Sequence, residues 1–283
     1  MATHTQPPIW MRAIGDPRLS KVMHRLVTAR PPAPVVHGAI RTFARLYNVN
    51  LEEAALGVAE FDTFQDFFTR KLKAGERTIE SEPGFVPSPA DGKLSAFGSL
   101  GEGRLVQAKG VEYSLDALVG DSNDADAYRH GSYAVIYLAP HNYHRVHCAW
   151  RGELTSWRYL PGALFPVNSV GLAHVPGLFA RNERIIGHFD TEFGRAALIM
   201  VGATFVGHMS VAFSDVKSNA GLPASGRVRV GTPVPFARGD EFGVFEMGST
   251  VVLLFERADL APALPLGSPI RMGQAALKVV PEV

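Results

Sequence analysis

From about position 86 onward the chain is built of short apolar runs, and no long helical pattern alternates with them. Residues 133–138, 154–160, 197–203, 204–213, 227–230 and 250–255 are rich in β-branched and aromatic side chains. Gly, Pro, Asn and Asp punctuate these runs, which is the pattern of strands separated by turns. A parallel sheet needs a crossover between neighbouring strands, usually a helix, and the sequence supplies none here. The region therefore predicts a mostly antiparallel β domain.

The first seventy-odd residues carry a different period. Asp16 followed by Pro17 is an N-cap with proline at the first helical position. Leu19, Val22, Met23, Leu26 and Val27 then fall on one helical face, with Arg18, Lys21 and Arg25 on the other. Prolines at 31, 32 and 34 end this helix, and Val36, Ile40, Phe43 and Tyr47 begin a second stripe. Asn50 with Glu53, and Thr63 with Asp66, have the spacing of capping boxes for two further short helices. The predicted class is α+β, mostly antiparallel: residues 76–283 as a β-rich domain, and residues 1–75 as an N-terminal amphipathic helical appendage whose stripes suit either a membrane surface or packing onto that domain.

Charge is informative only when divided. The whole chain carries a formal +1, too little for a dedicated nucleic-acid binder. Residues 1–50 hold seven Lys/Arg against one acid, a local +6 that leaves −5 for the rest. A basic amphipathic segment suits an anionic surface, although packing onto the main domain accounts for any single stripe as well. No apolar stretch follows the basic residues as in a secretory signal, and 196–213 is interrupted by Gly202, Thr204, Gly207, His208 and Ser210. Cys148 is the single cysteine, so no intrachain disulfide and no cysteine-rich zinc cluster is expected.

Three stretches could carry chemistry. Pro87-Ser88-Pro89-Ala90-Asp91-Gly92 ends in a carboxylate and a glycine, which is also common turn chemistry. His141, His144 and His147 lie within seven residues, in Tyr143-His144-Arg145-Val146-His147. Clustered imidazoles suit acid–base work, and no second His/Cys cluster in the sequence completes a metal motif. Glu246-Met247-Gly248-Ser249-Thr250 runs into an apolar strand, without the spacing of a hydrolase nucleophile elbow.

Together these stretches resemble the phosphatidylserine decarboxylase family, in its bacterial, pyruvoyl-dependent form. The resemblance extends through Tyr159-Leu160-Pro161-Gly162-Ala163-Leu164-Phe165 with Val167-Asn168, residues 178–184, residues 189–194 and residues 201–204. Two departures are Met247 where the bacterial pattern has leucine, and Pro166 inside the Phe165–Asn168 segment. The resemblance implies that Asp91 orients His147, that His147 activates Ser249, and that the chain cleaves itself between Gly248 and Ser249. Ser249 would thereby become a pyruvoyl group, the Schiff-base centre for decarboxylating phosphatidylserine to phosphatidylethanolamine, with no metal required. His144 is the candidate proton donor, and Phe165 and Asn168 are candidate substrate contacts. Pieces 1–248 and 249–283 would stay associated, at the cytoplasmic face of the cell membrane as a peripheral protein. Homo-oligomerisation is compatible with the sequence. A decarboxylase of a soluble amino acid, or a non-catalytic lipid-binding β domain, remain open readings of the same residues. Cys148 reads as buried packing.

Overall fold

The β-branched runs pair antiparallel into four sheets, and the largest has eight strands. The computed structural model describes residues 7–106, 112–204, 208–218, 228–246 and 249–280. Across the large sheet the order is Val228–Phe236, Gly152–Leu160, Arg184–Thr191, Gly194–Gly202, Ser249–Phe255, Ser132–Leu138, Gly92–Ser99 and Pro269–Ile270. The runs expected at 133–138, 154–160, 197–203 and 250–255 all lie in this sheet. The run at 204–213 shortens to Met209–Val211, and residues 205–207 and Arg227 lie outside the described residues.

Ser249–Phe255 runs inside the sheet and pairs on both sides, Ser249 facing Leu138 on one strand and Gly202 on the other. All seven of its residues are buried. That explains why it reads as a continuous apolar run without alternation. Residues after Ser249 also supply Pro269–Ile270 beside Gly92–Ser99, and Ala275–Val279 beside Phe85–Pro87. The last segment is thus hydrogen-bonded to four earlier strands.

A smaller sheet orders Ser214–Lys217, Met209–Val211, Glu241–Phe245 and Arg145–His147. It brings the histidine motif beside the strand that leads towards Ser249.

The helices follow the sequence closely. We label Ile9–Ile14 α1, Pro17–Val27 α2, Ala33–Tyr47 α3 and Phe64–Phe68 α4. Asp16 caps α2, accepting from the Arg18 N–H at 2.8 Å. Thr63 and Asp66 form the expected capping box on α4. The second expected box does not form: Asn50 accepts from Glu52 N–H in a turn, and Glu53 is drawn away to an arginine. A buried cation attracts a carboxylate more strongly than one exposed N–H does. Val36, Ile40 and Ala44 of α3 pack with Val49, Phe61 and Phe67 in a small apolar cluster separate from the main core.

Much of the α2 apolar stripe faces solvent. Ser20 and Val27 are buried, whereas Val22 and Leu26 are 54% and 65% exposed. Ile9, Trp10, Leu19, Val35 and Leu46 are exposed as well. Among the described residues no helix is long and apolar enough to cross a membrane.

Candidate active site

Two backbone hydrogen bonds draw the three chemical stretches together. His147 N–H donates to Pro89 O at 2.7 Å, joining the histidine motif to the approach to Asp91. Phe245 N–H donates to His144 O at 2.9 Å, joining it to the strand before Ser249. Gly92 is required by close approach, because a Cβ there would lie 2.3 Å from the Tyr137 carbonyl oxygen. Met247 and Gly248 lie outside the described residues.

Asp91 and His147 share no hydrogen bond among the described residues. Its carboxylate accepts from Arg77 through Nε at 2.8 Å and Nη2 at 2.5 Å, and from Met272 N–H at 2.8 Å. Arg77 also donates to Glu53 at 2.8 Å. Burial alone would lower the Arg77 pKa, but Asp91 and Glu53 outweigh it and raise it. A planar guanidinium with five donors serves both carboxylates at once, which an imidazole could not do.

The role expected of Asp91 falls to a backbone carbonyl. His147 Nδ1 lies 2.7 Å from Gly239 O. A carbonyl only accepts, so Nδ1 carries the proton and Nε2 is bare. Tyr143 O–H then donates to Nε2 at 3.0 Å. This is the tautomer a general base acting through Nε2 requires. Burial lowers the His147 pKa, against the opposing influence of Gly239, Glu241 and Asp91, which favour the charged ring. Asp91 therefore acts on His147 through its field rather than through a hydrogen bond. Burial also pushes the Tyr143 pKa up to about 12, so Tyr143 keeps its proton.

His144 is fully buried and stacks on Phe68 of α4, with ring centroids 4.1 Å apart. Burial, then the charge of Arg70, lowers its pKa to about 3, although the nearby Ala139 and Pro140 backbone favours the charged ring. Neither ring nitrogen has a hydrogen bond of ordinary geometry. At neutral pH the ring is uncharged, with one ring nitrogen carrying a proton and the other bare.

Ser249 is 1% exposed, and its Oγ has no hydrogen-bond partner. Leaving a buried hydroxyl unpaired costs about 1–3 kcal/mol, so its retention at the head of a buried strand points to a use. No hydrogen bond links it to His147 or His144 among the described residues. Phe165 lies nearby through Asn182, whose side-chain amide donates to both Phe165 O and Gly202 O at 2.8 Å. Asn168 is exposed and caps the short helix Ser169–His174, accepting from the Val170 and Gly171 N–H groups at 3.1 Å. Cys148 is buried, and burial raises its thiol pKa to about 12, as expected of packing.

A cavity of about 420 Å³ opens beside Asp91, with Arg70, Arg77, Tyr143 and Arg271 in its lining. His147 and Ser249 lie outside that lining. Tyr143 was visible in its motif without a role. Arg77 and Gly239 gave no local signal, because each acts on a residue distant in sequence.

The fold thus carries a buried hydroxyl without a hydrogen-bond partner, two buried histidines whose pKa values burial lowers, and a carboxylate held by an arginine. The sequence profile of the phosphatidylserine decarboxylase family matches residues 64–278. Relatives named phosphatidylserine decarboxylase proenzyme include one from Myxococcus xanthus strain DK1622, 42% identical over 87% of this chain and 88% of its own. One from Anaeromyxobacter sp. strain K is 42% identical over 93% and 95%. One from Vibrio cholerae O395 is 40% identical over 90% and 92%. The chain belongs to the phosphatidylserine decarboxylase family.

Proposed function

We propose that the chain cleaves itself between Gly248 and Ser249 and then decarboxylates phosphatidylserine to phosphatidylethanolamine at a membrane surface. The observation that carries this reading is the Ser249 hydroxyl, buried and without a partner at the start of an interior strand. In the first step Ser249 Oγ bonds to the Gly248 carbonyl carbon and the Gly248–Ser249 C–N bond breaks, leaving an ester and a free amine. His147 Nε2 takes the hydroxyl proton once Tyr143 has turned away from that nitrogen, with the tautomer held by Gly239 and the cation favoured by Asp91. Loss of the Ser249 α-proton then breaks the Cβ–Oγ bond, freeing the Gly248 carboxylate. Water converts the resulting dehydroalanine to a pyruvoyl group and releases ammonia.

The unpaired Oγ and the surrounding apolar strand fit a small group of this kind, since nothing else at that position needs the hydroxyl. Once formed, the pyruvoyl carbonyl supplies an electrophile for a primary amine and an electron sink for the pair released with carbon dioxide. His144 is the group we assign to return a proton to the decarboxylated carbon, from its neutral N–H or after charge developing beside it raises its pKa from about 3. The 35-residue piece after the cut would stay in place through its pairings with four earlier strands.

Membrane attachment is supported by the exposed apolar residues of α1–α3 beside Arg18, Lys21 and Arg25. Intact-mass analysis tests the cleavage. The wild type is expected as two pieces with a blocked N-terminus on the smaller, and Ser249→Ala as a single chain. A wild type that stays whole and still releases carbon dioxide from the lipid would overturn it.

A further inference from the structure

Three ligand-type side chains meet away from Asp91 and His147, and nothing in the proposed reaction uses them. His24 comes from the last turn of α2, His208 precedes Met209–Val211, and Glu246 follows Glu241–Phe245. His24 Nδ1 and His208 Nδ1 are 3.3 Å apart. Glu246 Oε2 is 3.5 Å from the first and 3.6 Å from the second.

These separations are too long for charge-assisted hydrogen bonds, which for N–H to carboxylate lie near ~2.7–2.9 Å. They match the edges of a coordination tetrahedron instead. With metal–nitrogen and metal–oxygen bonds of ~2.0–2.2 Å, neighbouring ligands of a tetrahedral zinc stand about 3.3–3.6 Å apart. The three donor atoms are thus within reach of one ion, which would turn the two imidazole rings, now packed edge to face with centroids 4.1 Å apart, so that both Nδ1 lone pairs aim at it.

The ligand chemistry narrows the ion. Calcium and magnesium take oxygen ligands, whereas two imidazoles with one carboxylate suit zinc and its neighbours. The Gln65 side chain favours the charged form of Glu246 against the effect of burial, the influence expected of an outer partner to a ligating carboxylate. His24 and His208 are part-exposed, so water has access to a fourth position.

The geometry points to a zinc-class divalent metal site formed by His24, His208 and Glu246, latching α2 onto the exit of the Glu241–Phe245 strand. No such motif is legible along the chain, where no metal was expected, because the ligands come from three segments separated by 184 and 38 positions. The site is distinct from the reaction proposed above, and its test needs neither cleavage nor turnover.

The experiment titrates cobalt(II) into the untagged, chelator-stripped full chain, then displaces it with zinc. The expected result is one equivalent of cobalt with the intense visible band of a low-coordinate site, abolished by zinc and untouched by magnesium. Absence of that band in the wild type overturns the proposal. The double variant His24→Gln with His208→Gln should bind at least ~100-fold more weakly, the range that even outer-shell losses reach. Should it fail to fold, Glu246→Gln takes its place. An undiminished band in whichever variant folds overturns the assignment. Zinc should also slow amide exchange in α2 of the wild type, and unchanged exchange would overturn the latch.

Discussion

Leu253 and Leu26 are the same residue placed in opposite circumstances. Leu253 is fully buried between Ala134 and Leu198 of neighbouring strands. Leu26 is 65% exposed on α2, one turn from Val22, which is 54% exposed. In the sheet, apolar surface is consumed in folding. On the N-terminal helices part of it remains unburied beside Arg18, Lys21 and Arg25, available to another apolar phase. Arg77 joins the two regions, bridging Glu53 from the loop after α3 to Asp91 at the edge of the sheet.

The most damaging change to this division should be Arg77→Ala. It strands two largely buried carboxylates, for which the expected cost is about 3–5 kcal/mol of stability. Urea midpoints measure it, and a loss under ~1 kcal/mol would mean the bridge is not holding the regions together. Leu253→Ala comes next, with an expected loss of about 2–5 kcal/mol from lost burial and a cavity. A near-neutral result there would break the contrast with Leu26 directly.

A smaller effect follows from His144, which sits between the regions under Phe68. Its folded pKa is about 3 against an ordinary value of 6.5, so the native state favours the neutral ring. Its contribution is fully present above pH 6.5 and is lost as pH falls towards 3, at no more than about 1.4 kcal/mol per pH unit. His144→Gln should flatten this acid limb between pH 6.5 and 4.5. Identical slopes in variant and wild type would contradict the assignment. The smallest effect on stability belongs to Val22→Ser with Leu26→Ser, within about 0.5 kcal/mol. Sedimentation with anionic vesicles should nevertheless fall about tenfold or more, since burying one such side chain is worth roughly 1.5–3 kcal/mol. Unchanged sedimentation would remove the helices from the membrane role.

The antiparallel class, the α2 and α4 caps and the buried strand after Ser249 were legible from the chain alone. Each rests on short-range physics: side-chain period, capping oxygens and turn residues act within a few positions. The same locality misled at Asn50 and Glu53, where the spacing fitted a box but a buried guanidinium took the glutamate. The motifs also marked Asp91, His144, His147 and Ser249, though not their partners. Only the tertiary structure gave Asp91 to Arg77, the His147 tautomer to Gly239, and His24 to His208 and Glu246. A buried polar atom must pair with whatever the fold brings within about 3 Å, and that choice is not written in its neighbours along the sequence.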